Sequence, residues 1–381
     1  MTLRNGLGGL TIVGYLGAPS GVGQSARNTI NSLRDKNISI NTINIPTPID
    51  QPDLLQIFGG INSFDPGEAS RVVCFVNADV WLPHIIESQI LPNNIETLCG
   101  VWAWEIEHFP GYFSSTADHV DQIFAVSNWS ARLLNSHLGK NVTSLISLNF
   151  LQLLSNLENS FLPRMTKDFI KFVNQCNLEI LPNKYLYFSF DCHSVVNRKN
   201  PYAIFNIWRR VAGYFPEYSL LVKYSNADHE FDTQLKSFAK SLPRVYLLSG
   251  IISYENQQML IRNSQLVLTL HRAEGLGLLP IEAASHDVPV VYTNYGGFCE
   301  ILPSGHFPVE WEYTEVGLDS VPYPSNAFWA EPNINHAVSQ VLLALELKKS
   351  GEWLKNSRNR IKEFGETLIQ LREESIHKLI N

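Results

Sequence analysis

The sequence predicts an α/β protein made of two consecutive open sheets, mainly parallel, with helices on both faces. Three observations predict it. Short apolar runs alternate with helical patterns almost from end to end. The apolar runs are continuous rather than alternating, as in strands buried on both faces. The alternation breaks once, between about Leu151 and Pro182, and then restarts. The 381 residues fit two domains of roughly 150–200 residues each. An eight-fold β/α barrel has a comparable strand count. The central break, and the special loop that opens each half, favour two sheets.

Taken in order, "LTIVGYL" (Leu10–Leu16) reads as a buried strand. "GQSARNTINSLRDK" follows as a helix with Ala26, Ile30 and Leu33 on one face. "ISINTINI", "RVVCFVN", "TLCGVWAW" and "QIFAVS" are the next strands. The stretch from Leu151 to Pro182 is polar, carries Pro163 and Pro182, and is read as the break. The second half opens with the strand "KYLYFSF" and a helix from Pro201 to Tyr214. "SLLVKY", a helix near Phe231–Ser241, "RVYLLSG" and a helix near Glu255–Arg262 come next. "QLVLTL", a helix after Gly277 and "VPVVYTN" complete the array. From about Asn333 the chain reads as helical to its end. The expected division is 1–160, 161–347 and a terminal helix over 348–381.

The totals exclude some functions. A hydrophobic share of 45%, a charged share of 17% and a net charge of −7 fit a globular enzyme and not a general nucleic-acid binder, which would be basic. The five cysteines form no CxxC pair. An odd number of thiols suggests a reduced, cytoplasmic setting. The N-terminus is a poor signal peptide, and no apolar run reaches the roughly 18–20 residues that span a bilayer.

The chemistry concentrates in "HRAEGLGLLPIEAASHDVPVVYTNYGG", His271 to Gly297. In open parallel sheets ligands sit outside the carboxyl ends of the strands, and Glu274 lies four residues after "QLVLTL". Gly275 and Gly277 let the backbone approach a ligand and turn sharply. A helix starting near Leu278 presents free N–H groups and the positive end of its dipole, which suits phosphate. Glu282, one turn in, can accept hydrogen bonds from a vicinal diol. The arrangement suits a polyhydroxylated, phosphorylated ligand such as a sugar nucleotide. Arg198 and Lys199, in the loop after the first strand of the second half, can neutralise a departing diphosphate. Lys223 closes "SLLVKY" and either snorkels or touches phosphate. "GAPSGVGQSARN" is a Gly-rich loop between strand and helix. "VWAWEIEHFP" brings Glu105, Glu107 and His108 to a strand's carboxyl edge. His84, His193 and His271 are also placed in loops.

"EGLGLLPIE" reproduces the Glu-x7-Glu motif of retaining glycosyltransferases with the GT-B fold, and the chain resembles glycosyltransferase family 4. "TNYGG", "GYLGAPSGVGQSARN", "VWAWEIEHFP", "FDCHSVVNRKNP", "LLVKY" and "WAEPN" look like segments of that family's bacterial surface-polysaccharide branch, in this order over nearly the whole chain. The resemblance implies two Rossmann-like domains facing across a cleft, with the C-terminal helix returning to the first. It implies a donor bound mainly by the second domain, an acceptor bound mainly by the first, and no metal requirement. It favours Lys199 as the phosphate cation, places the Gly21–Gly23 backbone near the diphosphate and acceptor, and makes Glu105 or His108 the residue approaching the reacting centre. Many family members carry a further Arg directly after the strand; here that place is near Asp191, which leaves the roles of Arg198 and Lys223 open. GDP-mannose and UDP-glucose are the leading donors by resemblance, with a glycan or lipid-linked saccharide as acceptor. A GT-B sugar-nucleotide epimerase and a non-catalytic sugar-nucleotide-binding protein stand as alternatives. Lys348, Lys349, Lys355, Arg358, Arg360 and Lys362 suggest peripheral contact with anionic lipid at the inner face of the membrane.

Overall fold

The structure, a computed structural model, describes residues 9–59, 71–92, 95–160 and 166–381. Residues 1–8, which open the Gly-rich N-terminus, and Pro163 of the central break lie outside these. The chain divides into two compact units, 1–152 with 368–381, and 153–367.

In the first unit β1 (Leu10–Gly14), β2 (Ile40–Asn44), β3 (Arg71–Phe75), β4 (Thr97–Trp102), β5 (Gln122–Ala125) and β6 (Val142–Ser144) form one parallel sheet in the order β2-β1-β3-β4-β5-β6. In the second, β7 (Tyr185–Asp191), β8 (Ser219–Ser225), β9 (Val245–Ser249), β10 (Leu266–Thr269), β11 (Val290–Thr293) and β12 (Phe307–Val309) form another, ordered β12-β11-β10-β7-β8-β9. Both are parallel because a helical crossover separates successive strands. All five residues of β1 and all four of β10 and of β11 are buried, which explains their unbroken apolar runs.

The strand orders fix where ligands can sit. From β1 the chain adds β2 on one side, then returns across β1 to add β3 on the other. From β7 it adds β8 and β9 on one side, then returns to add β10, β11 and β12 on the other. The crevices outside the carboxyl ends of β1/β3 and of β7/β10 are therefore the switch points at which open α/β sheets take ligands.

Three features differ from the sequence expectation. The central stretch is not an irregular break: helices run over Phe150–Glu158 and Thr166–Gln175, burying Phe150, Leu153, Leu157, Phe169 and Val173, so the three- and four-residue spacing of its apolar positions outweighed its polar composition. The short strands β6 and β12 escaped notice at three residues each. An antiparallel pair, β13 (Trp311–Glu315) and β14 (Phe328–Pro332), intervenes before the terminal helices.

The tail returns to the first sheet as expected: helix Ser357–Ile380 contributes its last residues, from Leu368, to the first unit. There the Ser375 hydroxyl donates to the Ile146 carbonyl at 3.0 Å and Lys378 Nζ to the Ser144 carbonyl at 2.8 Å. In the basic stretch 348–362 one cation is withdrawn from solvent and others form surface pairs. Arg360 is buried in an ion pair with Asp287, and Lys355 and Lys362 pair with Glu352 and Glu366. Among the described residues no helix is long and apolar enough to cross a membrane.

Candidate active site

At the β7/β10 switch point two loops meet. The first leaves β7 at Asp191, whose carboxylate accepts from the His193 N–H, the Ser225 hydroxyl and the Asn226 amide at 2.6–2.8 Å. It then enters a single helical turn, Val196–Lys199. Val195 before the turn has φ +60° and Asn200 after it φ +53°. A β-branched residue rarely adopts that region, and such strain persists only where surrounding contacts over-determine it. The second loop leaves β10 and runs from His271 through Glu274.

The turn delivers two cations to Glu274. Lys199 Nζ meets Oε2 at 2.6 Å, and Arg198 Nη1 lies 3.5 Å from Oε1. Arg198 is buried and committed to the backbone as well, donating to the carbonyls of Ser194 at 3.2 Å and Ala273 at 2.8 Å. Burial pushes the Glu274 carboxyl up, but Lys199 and then Arg198 outweigh it and hold the group at about 2. Glu274 is therefore an anion at neutral pH, an acceptor of hydrogen bonds and not a proton donor. His271 beneath it is driven down to about 4 by burial. Its Nε2 faces the Tyr295 carbonyl at 2.9 Å, so this nitrogen carries the proton and Nδ1 accepts from Thr269. The imidazole is a neutral structural prop.

Glycine is required around Glu274. Gly277 has φ +82°, and a Cβ there would lie 2.4 Å from Phe298 Cδ1. A Cβ on Gly296, at φ +117°, would lie 2.4 Å from the Glu274 carbonyl oxygen. Gly277→Ala should cost about 1–2 kcal/mol from its backbone conformation alone, with displacement of Phe298 added. Urea denaturation measures it, and an unchanged midpoint would refute the requirement. Gly277 caps helix Leu278–Ser285 with no side-chain hydrogen bond, which leaves the first N–H groups, that of Leu278 included, for a ligand. Gly275 is buried in the same bend.

Among the described residues no cation acts on Glu282 in this way. Burial pushes its carboxyl up to about 8, with a hydrogen bond from Gln258 pulling the other way. Between its ordinary 4.5 and 8 the folded chain holds a proton that the unfolded chain has released, so the stability this group supplies falls as pH rises through that window. Glu282→Gln should flatten that slope, read as the difference between denaturation midpoints at pH 5 and pH 8.5. An undiminished slope in the variant would remove the assignment. Lys223 belongs to a neighbouring group: Nζ lies 3.5 Å from Ser225 Oγ, and burial lowers its pKa against the opposing pull of Asp191 and Cys192.

In the first unit, Ser20 caps helix Gly21–Asp35 by accepting from the Gly23 N–H at 3.1 Å. A Cβ on Gly23 would meet the carbonyls of Tyr15 and Ala18 at 2.5 and 2.8 Å, whereas one on Gly21 would meet nothing. Glu105 and His108 follow β4. The charge of Glu105 acts on Asp79, whose carboxyl is raised by burial first and Glu105 second. Tyr15 hydrogen-bonds His84 Nδ1 at 2.5 Å. His108 is exposed, its carbonyl accepting from Trp104 Nε1 and its ring 6.4 Å from that of His137. Tyr15 directly follows β1, and Asp79 lies in the turn Ala78–Val80 after β3; the sequence carries no motif at either.

Residues 206–366 match the family model described as glycosyl transferases group 1. This segment, within the second unit, is similar to that family. The match reads as a glycosyltransferase domain. Solved structures agree in fold. Anabaena Alr3699/HepE in complex with UDP is 14% identical, with 97% of this chain and 99% of that one covered at a TM-score of 0.59. The α,α-trehalose 6-phosphate synthase of Burkholderia multivorans is 11% identical over 97% and 98% at 0.61. S. aureus TarM is 14% identical at 0.53; 82% of this chain is covered, but only 55% of TarM. At such identities the likeness establishes the GT-B fold. No curated protein sequence matches the chain.

Proposed function

We propose that this protein is a retaining GT4-type glycosyltransferase that moves a hexose of the glucose or mannose type from a nucleoside diphosphate sugar to a glycan or a lipid-linked saccharide. UDP-glucose is the leading donor, since HepE is described in complex with UDP-glucose, and GDP-mannose is the second. The observation that carries the reading is the Lys199–Glu274–Arg198 cluster beside a helix N-terminus whose cap, Gly277, has no side chain to bond its N–H groups. It provides separate places for an anionic diphosphate and for a hydroxylated ring.

In this reading the diphosphate takes Lys199 from Glu274 and lies against the first N–H groups of helix Leu278–Ser285, with Gly275 and Gly277 allowing close approach. Arg198, fixed to two carbonyls, adds positive charge from behind. Glu274, freed of Lys199, accepts from hydroxyls of the transferred sugar, and Glu282 takes the ribose diol. Lys223 adds charge at the edge of the donor site. The Gly21–Gly23 backbone and Glu105 or His108 serve the acceptor. The acceptor oxygen attacks the anomeric carbon on the face from which the bond to phosphate breaks. The departing phosphate oxygen takes the acceptor's proton.

The test is turnover of UDP-glucose and GDP-mannose with and without oligosaccharide and lipid-linked acceptors. Free nucleoside diphosphate formed only with acceptor, together with an α-linked product, supports transfer. Epimerised donor formed without acceptor would replace it with the epimerase reading.

A further inference from the structure

The β13–β14 pair completes neither parallel sheet, yet it is joined directly to the loops that carry the site. Arg272, two residues before Glu274, makes the join. Its N–H donates to the Arg198 carbonyl at 2.8 Å, and its own carbonyl accepts from the Ala330 N–H at 2.9 Å. Its guanidinium donates to the Asn197 carbonyl at 2.8 Å, pairs through Nε with Glu331, and lies 5.6 Å from the centre of the Trp329 ring. The Asn197 amide in turn donates to the Ser320 hydroxyl at 3.3 Å, in the connection between the two strands. The fork of Arg272 thus grips the turn that carries Lys199, and this turn is the one that follows strained Val195. Something must hold Val195 at φ +60°, and the contacts of Arg272 and Asn197 reach the turn from outside it, beside those of Arg198 and Lys199 with the Ala273–Glu274 segment.

We infer that Arg272 and Glu331 are positioning residues: the β13–β14 pair holds the Val196–Lys199 turn in the register at which Lys199 reaches Glu274. The inference rests on the roles given to Lys199 and Glu274 above. A cavity of about 240 Å³, bounded by Asn197, Arg272, Thr314, Glu315, Trp329 and Glu331, leaves the pair open to water on one side. Half-exposed ion pairs contribute little to global stability. Positioning can therefore be separated from maintenance of the fold.

The experiment compares Glu331→Ala, Glu331→Gln and Arg272→Gln with wild type in the full chain. Amide hydrogen exchange of the free protein is the first readout. Peptides covering 194–200 should exchange about tenfold faster in Glu331→Ala and Arg272→Gln, with β8 unchanged, because only local opening is affected. Kinetics with UDP-glucose or GDP-mannose is the second. The kcat should fall about tenfold to a hundredfold in the same two variants with donor KM nearly constant, as when reacting groups are slightly misplaced. Glu331→Gln keeps an acceptor oxygen and should restore most of both. Unchanged exchange at 194–200, or losses in kcat that simply follow the melting temperature across the three variants, would overturn the inference. Glu274→Gln and Lys199→Ala are run beside them. If those two retain full activity, the site assignment fails, while the exchange result still judges the positioning role.

Discussion

Glu274→Gln should lower kcat by about 10²-fold or more, on the scale of one well-placed electrostatic contact to a reacting centre, ~2.7–4 kcal/mol. The sugar hydroxyl it holds shifts in position and charge as the glycosidic bond breaks, so the loss falls on the transition state. The ion pairs sharpen this expectation. Glu274 also pairs with Lys199 at 2.6 Å, so its carboxylate competes with an incoming diphosphate for the same ammonium. Removing the charge should leave affinity for free UDP or GDP unchanged or improved while turnover collapses. Steady-state kinetics and calorimetry with the free diphosphate measure the two halves. Turnover at the wild-type rate would show that the motif is misassigned.

The neighbouring acid should behave in the opposite way. The ribose that Glu282 is proposed to hold does not change during reaction, so Glu282→Gln should raise donor KM and leave kcat within about tenfold. The structure adds that Glu274→Gln also carries a stability cost, because Arg198 is buried beside it. Arg198 keeps its hydrogen bonds to the Ser194 and Ala273 carbonyls, so the cost should stay near the net worth of one typical contact, about 0.5–1.5 kcal/mol. Melting curves on both variants therefore belong with the kinetics.

How much of this could be read from the chain depends on range. Glu274, Gly277 and Glu282 lie within nine positions, and both helical and sheet-edge geometry act over that distance. The Arg198–Lys199 pair was likewise legible as a local basic loop. The joining of Lys199 to Glu274 was not, because the two stand 75 positions apart and only the return of the chain across β7 to β10 brings them together. Arg198 looked like a second free cation, and its burial against two carbonyls depends on the same closure. The fold was legible wherever strands were buried on both faces. It was not legible at β6 and β12, with three residues each, or at β13, where no residue is buried and the apolar pattern vanishes. Tyr15 and His84 carry no motif, and only strand order places them together.

Asp287→Ala should destabilise the second unit by about 3–5 kcal/mol, the cost of leaving a buried charge without its partner. Asp287 sits in the bend between helix Leu278–Ser285 and β11 and is 8% exposed; Arg360 is 6% exposed. Its carboxylate accepts from Ser357 Oγ at 2.5 Å and from Arg360 Nε at 3.0 Å, and its carbonyl accepts from Trp353 Nε1 at 3.0 Å. The guanidinium of Arg360 lies 3.6 Å from the centre of the Trp353 ring and donates to the Trp353 carbonyl at 2.7 Å. One carboxylate thus fastens the terminal helices to the helix that carries Glu282. Asp287 also has φ +51°, a conformation that Asn tolerates better than Ala. Asp287→Asn should therefore lose less than Asp287→Ala while still lacking the charge. The double variant Asp287→Ala/Arg360→Met should recover most of the loss, since replacing both members of a buried ion pair by apolar groups is often neutral. Denaturant titration of these variants together with the single variant Arg360→Met closes the cycle. If Asp287→Ala unfolds at the wild-type midpoint, or the double variant is worse than the single, the ion pair is not what holds the tail in place.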